Sequence, residues 1–233
     1  MGRFSGIAAV LAGLCVVVQA ASADTVDVGA MAVVQRAVYG VPPQGSQVVK
    51  RQGDAVVFQE ALETVDNGAA LVRFIDDSTL SIGANSKVLI DAFVFDPQKT
   101  EGNALIRISI GTLRYVTGDM PKGKTVIKTP TATLVLRGTD VTVHVHPDGS
   151  TDATVDGGDV DAHNDVTKDD TNIPTGQGAS FGNSGNSDFS GTNPPAGPGS
   201  SGDPSDPPEH RRSDSPEPPS SGSSSGNNSG PGY

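Results

Sequence analysis

Residues 125–149, TVIKTPTATLVLRGTDVTVHVHPDG, alternate apolar and polar side chains with a period of two, and no other stretch narrows the possible folds as far. Successive side chains on a strand point to opposite sides of a sheet, so this period marks strands with one buried face. Two breaks interrupt the pattern, at Thr129-Pro130 and at Arg137-Gly138-Thr139-Asp140, and Pro147-Asp148-Gly149 closes it as a turn. Past the second break Val141, Val143 and Val145 face one way, and Thr142, His144 and His146 the other.

Upstream, short apolar segments recur at intervals of about ten residues with turn residues between them, the cadence of an all-β domain. They cover 47–51, 55–58, 62–65, 69–75, 79–82 and 87–95, separated by Asn67-Gly68, Asp76-Asp77-Ser78 and Gly83-Ala84-Asn85-Ser86. Ile106, Ile108 and Ile110 alternate with polar residues and are expected to face a core, with 111–116 continuing as strand. Residues 24–37 have no firm period and read as a first strand or a short helix, followed by a Pro- and Gly-containing loop to residue 46. Two further strands are expected at 153–155 and 160–163, around Gly157-Gly158. From 182 to 233 the chain is Gly, Ser, Pro, Asn and Asp with few apolar residues, a composition that cannot offset its chain entropy by burial and predicts disorder. The expected organisation is therefore a leader over 1–23, an N-terminal strand or helix and loop over 24–46, a β domain over 47–181 and a tail over 182–233.

The leader is expected because Met-Gly-Arg precedes an apolar run at 7–18 and then Ala21-Ser22-Ala23, the layout of a signal peptide cleaved after Ala23. That run is shorter than the roughly 20 residues a membrane helix needs. The expectation is a periplasmic or secreted chain with no membrane span in its mature form. The single cysteine, Cys15, lies inside the leader, so the mature chain would hold together by burial without disulfides.

Charge is unevenly placed. Residues 24–139 carry 12 acids and 12 bases, whereas 140–181 carry 9 acids against Lys168 alone. Nucleic acid is disfavoured as a partner, because its binding depends on Lys and Arg neutralising phosphates.

The run 129–141, TPTATLVLRGTDV, resembles the signature of FecR domains: a threonine-proline, a short strand and an RGT-acid-apolar corner. Supporting similarity lies in Phe74-Ile75-Asp76-Asp77-Ser78-Thr79-Leu80, in Ala84-Asn85-Ser86-Lys87-Val88, in Phe93-Val94-Phe95-Asp96 and in Ile110-Gly111-Thr112-Leu113-Arg114. Asp77 stands where the family usually has glycine, a position that an aspartate accepts because it tolerates left-handed geometry. The resemblance covers roughly 48–162. It implies an all-β, solenoid-like or twisted β-helical domain, here stand-alone and exported, without the anti-sigma and membrane segments of the regulators that name the family. It also implies work through protein contacts with no known chemistry. The expected partner is an envelope or surface protein, in signalling or surface assembly; the alternative is a cell-wall or polysaccharide-binding domain, which the absence of Trp and the presence of only 3 Tyr disfavour.

Four residues stand out as a structural or interaction corner: Arg137, Gly138, Thr139 and Asp140. Gly138 is expected to supply a backbone angle other residues avoid, with Arg137 and Asp140 pairing or bonding loop carbonyls across the corner. His144 and His146 share a strand face and, with Asp148 or His163 near, have the residue types of a metal site, but no recognised motif completes it and none is assigned. The spaced acids at 148–170 fail the calcium-loop spacings and read as a solvated face. No nucleophile motif, zinc-protease motif or phosphate-binding glycine loop is present, so no catalytic residue or cofactor is assigned and a non-enzymatic protein is expected.

Overall fold

A computed structural model describes residues 25–182 and 184–190; the leader expected at 1–23 and the part of the expected tail from 191 onward lie outside these described residues. All regular structure among them is β. The chain begins with β1 (Asp27–Gln35), β2 (Val38–Val41), β3 (Val48–Lys50), β4 (Ala55–Val57) and β5 (Ala61–Thr64). It continues through β6 (Ala69–Phe74), β7 (Thr79–Ile82), β8 (Lys87–Asp96) and the long β9 (Glu101–Val116). Then come β10 (Thr125–Lys128), β11 (Ala132–Leu136), β12 (Asp140–Val145), β13 (Thr151–Gly157), β14 (Asp159–Asn164), β15 (Asp170–Pro174), β16 (Gln177–Gly182) and β17 (Gly185–Ser190).

Pairing sorts the strands into two sheets that share β9. The first runs β4-β1-β6-β7-β9-β12-β13-β16-β17. The second runs β3-β2-β5-β8-β9-β10-β11-β14-β15. After β9 the chain lays down hairpins in alternation, β10-β11 on the second sheet, β12-β13 on the first, β14-β15 on the second and β16-β17 on the first. The stack therefore lengthens hairpin by hairpin along one axis, as a solenoid does, with its strands in two facing layers. Nearly every pairing is antiparallel; β10 runs parallel to the first half of β9 because the chain leaves the second sheet along β9 and returns through the 117–124 loop.

The two sheets close on one core. Phe74 of the first sheet stacks on Phe93 of the second, with ring centroids 4.4 Å apart and planes 10° apart, and Tyr115 tilts against Phe74 at 6.3 Å. Val141, Val143 and Val145 of β12 are fully buried with Leu134 and Leu136 of β11 and Ile106 and Ile108 of β9. Burying each such side chain contributes about 1.5–3 kcal/mol, and an aromatic stack about 0.5–1.5 kcal/mol more.

The isoleucine triplet behaves otherwise than expected. Ile106 and Ile108 are buried, but Ile110 is 37% exposed. Lys87 pairs with Ile110 and Val88 with Ile108, so Ser109 is an extra, bulged residue. One extra residue reverses which face each side chain takes, and beyond it Leu113 and Tyr115 point inward instead. Gly111 makes the crossing between sheets possible: its φ is +95°, and a Cβ there would lie 2.2 Å from Ser86 Oγ.

The segment expected at 24–37 as a strand or a short helix holds the strand β1, Asp27–Gln35. β1 threads between β4 and β6, and β2 between β3 and β5. The boundary expected at 46/47 therefore separates no folding units. At the other end β17 pairs along β16 and carries the first sheet past 181 to Ser190.

Candidate functional site

β11 ends in the second sheet and β12 begins in the first, so Arg137-Gly138-Thr139 is the step between layers. Gly138 has φ +73°, which suits glycine, and a Cβ on Gly158 would lie 2.2 Å from the Gly138 carbonyl oxygen. Thr139 is buried and acts as the pin: its Oγ1 accepts the Arg137 N–H at 2.9 Å and donates to the Asp159 carbonyl at 2.9 Å. Its N–H donates to Thr117 Oγ1 at 3.1 Å, and the Thr117 N–H returns to the Thr139 carbonyl at 3.0 Å.

Of the two arrangements expected at the corner, pairing of Arg137 with Asp140 or bonds to loop carbonyls, the direct pair does not form. The two residues belong to different sheets, and each pairs with a neighbour on its own. Arg137 Nε donates to Asp161 Oδ2 of β14 at 2.5 Å, while Asp140 receives both arms of Arg114 of β9, at 2.9 and 2.8 Å. The Asn172 amide, then Arg137, holds the Asp161 carboxyl below its usual range. Burial, then the nearby Asp140 charge, pushes that of Asp156 up.

Thr129-Pro130-Thr131 is a second pinned corner. Thr129 Oγ1 accepts the Ala132 N–H at 2.9 Å, which opens β11. Thr131 Oγ1 lies 2.9 Å from Thr151 Oγ1 and 3.1 Å from the carbonyls of Gly149 and Phe181, joining three hairpins at one hydroxyl. Asp76 plays the same part in the 76–78 turn: its Oδ1 accepts the Ser78 N–H at 3.0 Å and hydroxyl at 2.5 Å, and Tyr115 OH donates to Ser78 Oγ at 2.9 Å. Asp77 takes the left-handed angle, φ +62°, that its position demands.

On the outer face of the first sheet a polar row crosses four strands. His144 pairs in register with Thr112 of β9 and Asp152 of β13, and Asp152 with Ser180 of β16. His144 Nδ1 is 2.7 Å from Thr112 Oγ1, His146 Nε2 is 2.8 Å from Asp152 Oδ2, and Ser180 Oγ donates to Asp152 Oδ1 at 2.5 Å. The two imidazoles pack edge to face, centroids 4.3 Å apart. Burial first, then the adjacent His146, holds the His144 pKa below its usual value. The sequence places His144 and His146 on one face; Thr112, Asp152 and Ser180 carry no local signal, because only the sheet register brings them alongside. His163 is elsewhere, on the outer face of the second sheet, in an open cleft with Thr133, Val135, Asp161 and Asn172, its Nδ1 2.7 Å from Asp170. Asp148 stays in its turn, where the Ser150 hydroxyl and N–H hold its carboxyl below the usual range. Among the described residues no three His, Cys, Asp or Glu side chains converge on one point.

The Thr112–His144 contact has the form of a hydroxyl beside a base. Among the described residues the Thr112 N–H is donated to Ser86 Oγ at 2.9 Å and the flanking strand is laddered to β12, so these N–H groups are engaged within the fold.

Two sheets of short strands with pinned corners define an all-β domain of the kind the signature run implies. Residues 60–161 match the family model described as FecR protein. Two crystal structures of a candidate anti-sigma factor from Parabacteroides distasonis resemble the fold, with TM-scores of 0.47 and 0.45 at 13% and 12% identity. Each match covers 56% of this chain and 59% of the other, so the chain spans well under two thirds of the length of these relatives. No curated protein matches the chain.

Proposed function

We propose that this chain is an exported, non-catalytic FecR module that acts by contacting another protein of the cell envelope or surface, in signalling or assembly. The observation that carries this reading is the open edge of the second sheet. β3 pairs with β2 on one side only among the described residues, and its Val48 and Val49 are 46% and 53% exposed. Beside it on the outer face, Tyr39, Val41, Ala61 and Leu89 are only half-buried. An unpaired strand with apolar side chains is a template for a strand from another chain. The signature residues fit the same reading, since the corners engage them in holding the two layers together and leave recognition to edges and faces.

The test is capture from envelope extracts by the mature chain and by its Val49→Lys variant. Loss of a captured protein with Val49→Lys, and indifference to polysaccharide digestion, supports the reading; capture abolished by digestion and unchanged by Val49→Lys overturns it in favour of glycan binding. Export is tested separately, by N-terminal sequencing of the expressed protein, with Asp24 as the expected first residue.

A further inference from the structure

Protein contact does not require the two imidazoles on β12, and their surroundings have a chemistry of their own. His144 and His146 stand two residues apart on one strand face, about 7 Å along the strand, and each has one ring nitrogen already engaged. A carboxylate only accepts, so Nε2 of His146 carries the hydrogen shared with Asp152, and Nδ1 of the neutral ring keeps its lone pair. The Thr112 hydroxyl both donates and accepts, which admits the His144 tautomer with hydrogen on Nδ1 and a lone pair on Nε2. Neither of these remaining nitrogens has a hydrogen-bond partner among the described residues.

This is the outer-sphere pattern of metal-binding histidines, one nitrogen oriented by a carboxylate or hydroxyl and the other left for the ion. Asp152, only 6% exposed, is itself fixed by Ser180. The local field favours a cation: Asp148 and Asp152 flank His146, and Asp140 and Asp156 lie further along, with Arg114 held by Asp140.

We propose that His144 and His146 together bind one divalent transition-metal ion, Cu2+ in preference to Zn2+, with two imidazoles as the protein ligands and water in the open positions. The preference follows from the ligand count. No third His, Cys, Asp or Glu converges there among the described residues, whereas zinc sites use three or four protein ligands. Cu2+ accepts a tetragonal field with only part of it supplied by imidazole, and it heads the divalent affinity order at nitrogen sites.

The experiment is titration of Cu2+ into the mature chain at neutral pH, followed by frozen-solution electron paramagnetic resonance and calorimetry. One equivalent is expected, with hyperfine structure from two imidazole nitrogens. His144→Ala and His146→Ala should each weaken binding more than tenfold and remove the two-nitrogen signal. Asp152→Asn should weaken it about 10–100-fold while keeping that signal, as loss of an outer-sphere partner does. Circular dichroism checks the fold of each variant; Thr112→Val serves as the outer-sphere test should Asp152→Asn unfold. His163→Ala and His210→Ala should change nothing. A two-nitrogen spectrum that survives His144→Ala, a wild-type spectrum with one nitrogen or none, or displacement of Cu2+ by equimolar Zn2+ overturns the proposal.

Discussion

Breaking the Lys50–Glu60 pair at the start of the stack from one side should cost several kcal/mol, a figure that follows from its surroundings. Lys50 is 8% exposed and Glu60 0%. Lys50 Nζ lies 2.6 Å from Glu60 Oε1 and donates to the Ala55 carbonyl at 2.8 Å, while Glu60 Oε2 accepts the Val57 N–H at 3.0 Å. The Nζ–Oε1 contact lies outside hydrogen-bond angles despite its length, so Oε1 is held by charge and not by an aligned bond. Glu60→Ala leaves the ammonium buried with one neutral partner and strips the Val57 N–H of its acceptor. Breaking a buried pair from one side costs about 3–5 kcal/mol, with an orphaned buried donor accounting for about 1–3 kcal/mol within that. The pair ties β3 and β4 to the β4–β5 turn, so the loss should be felt first at that end of the stack. Replacing both partners, as Lys50→Met with Glu60→Leu, removes both charges and should come within about 1 kcal/mol of wild type or above it. Urea denaturation followed by far-ultraviolet circular dichroism measures each variant, and the double-mutant cycle isolates the coupling. If Glu60→Ala alone falls within about 1 kcal/mol of wild type, the pair is solvated in solution and the reasoning fails.

Four further outcomes follow from the same contacts. Gly111→Ala should cost about 3 kcal/mol, since it combines a positive φ with a Cβ 2.6 Å from the Ser86 Cα; an unchanged denaturation midpoint would mean that β9 crosses between sheets differently. Tyr115 is fully buried and its pKa is raised well above 10, so in a spectrophotometric titration it should ionise only as the protein unfolds; its contribution is whole below the unfolded phenol pKa and is lost as pH rises beyond it. The His144 pKa is lowered, so its contribution is present above about 6.5 and is lost as pH falls from there; His144→Gln should flatten the melting temperature between neutral and mildly acid pH. Arg137→Ala should move thermal stability by less than about 1 kcal/mol, because its ion pair with Asp161 is roughly half exposed on both sides, whereas Thr139→Val, which removes the buried pin, should cost about 1–3 kcal/mol.

Strand identity was legible wherever the alternation was local. The valines of β12, the turn at Asn67-Gly68 and the left-handed Asp77 all follow from two or three neighbouring residues, and the structure has them as read. Legibility failed where a residue's partner is distant. Nothing near Ile110 announces that Ser109 is bulged, because the bulge exists only against β8. Arg137 and Asp140 look like partners three residues apart, and the step between layers sends one to Asp161 and the other to Arg114. The row Thr112–His144–Asp152–Ser180 is invisible along the chain for the same reason, since its members come from four strands.

Short strands, most of their turns and the corner at 137–140 could be read along the chain, because backbone preference and side-chain period act over a few residues. Which sheet each strand enters, the interior place of Asp27–Gln35 in one layer and of Val38–Val41 in the other, and which outward side chains meet emerge only on folding. Those outcomes depend on register and on the crossing of β9 at Gly111, and register is fixed by burying one face of every strand against the opposite sheet at once.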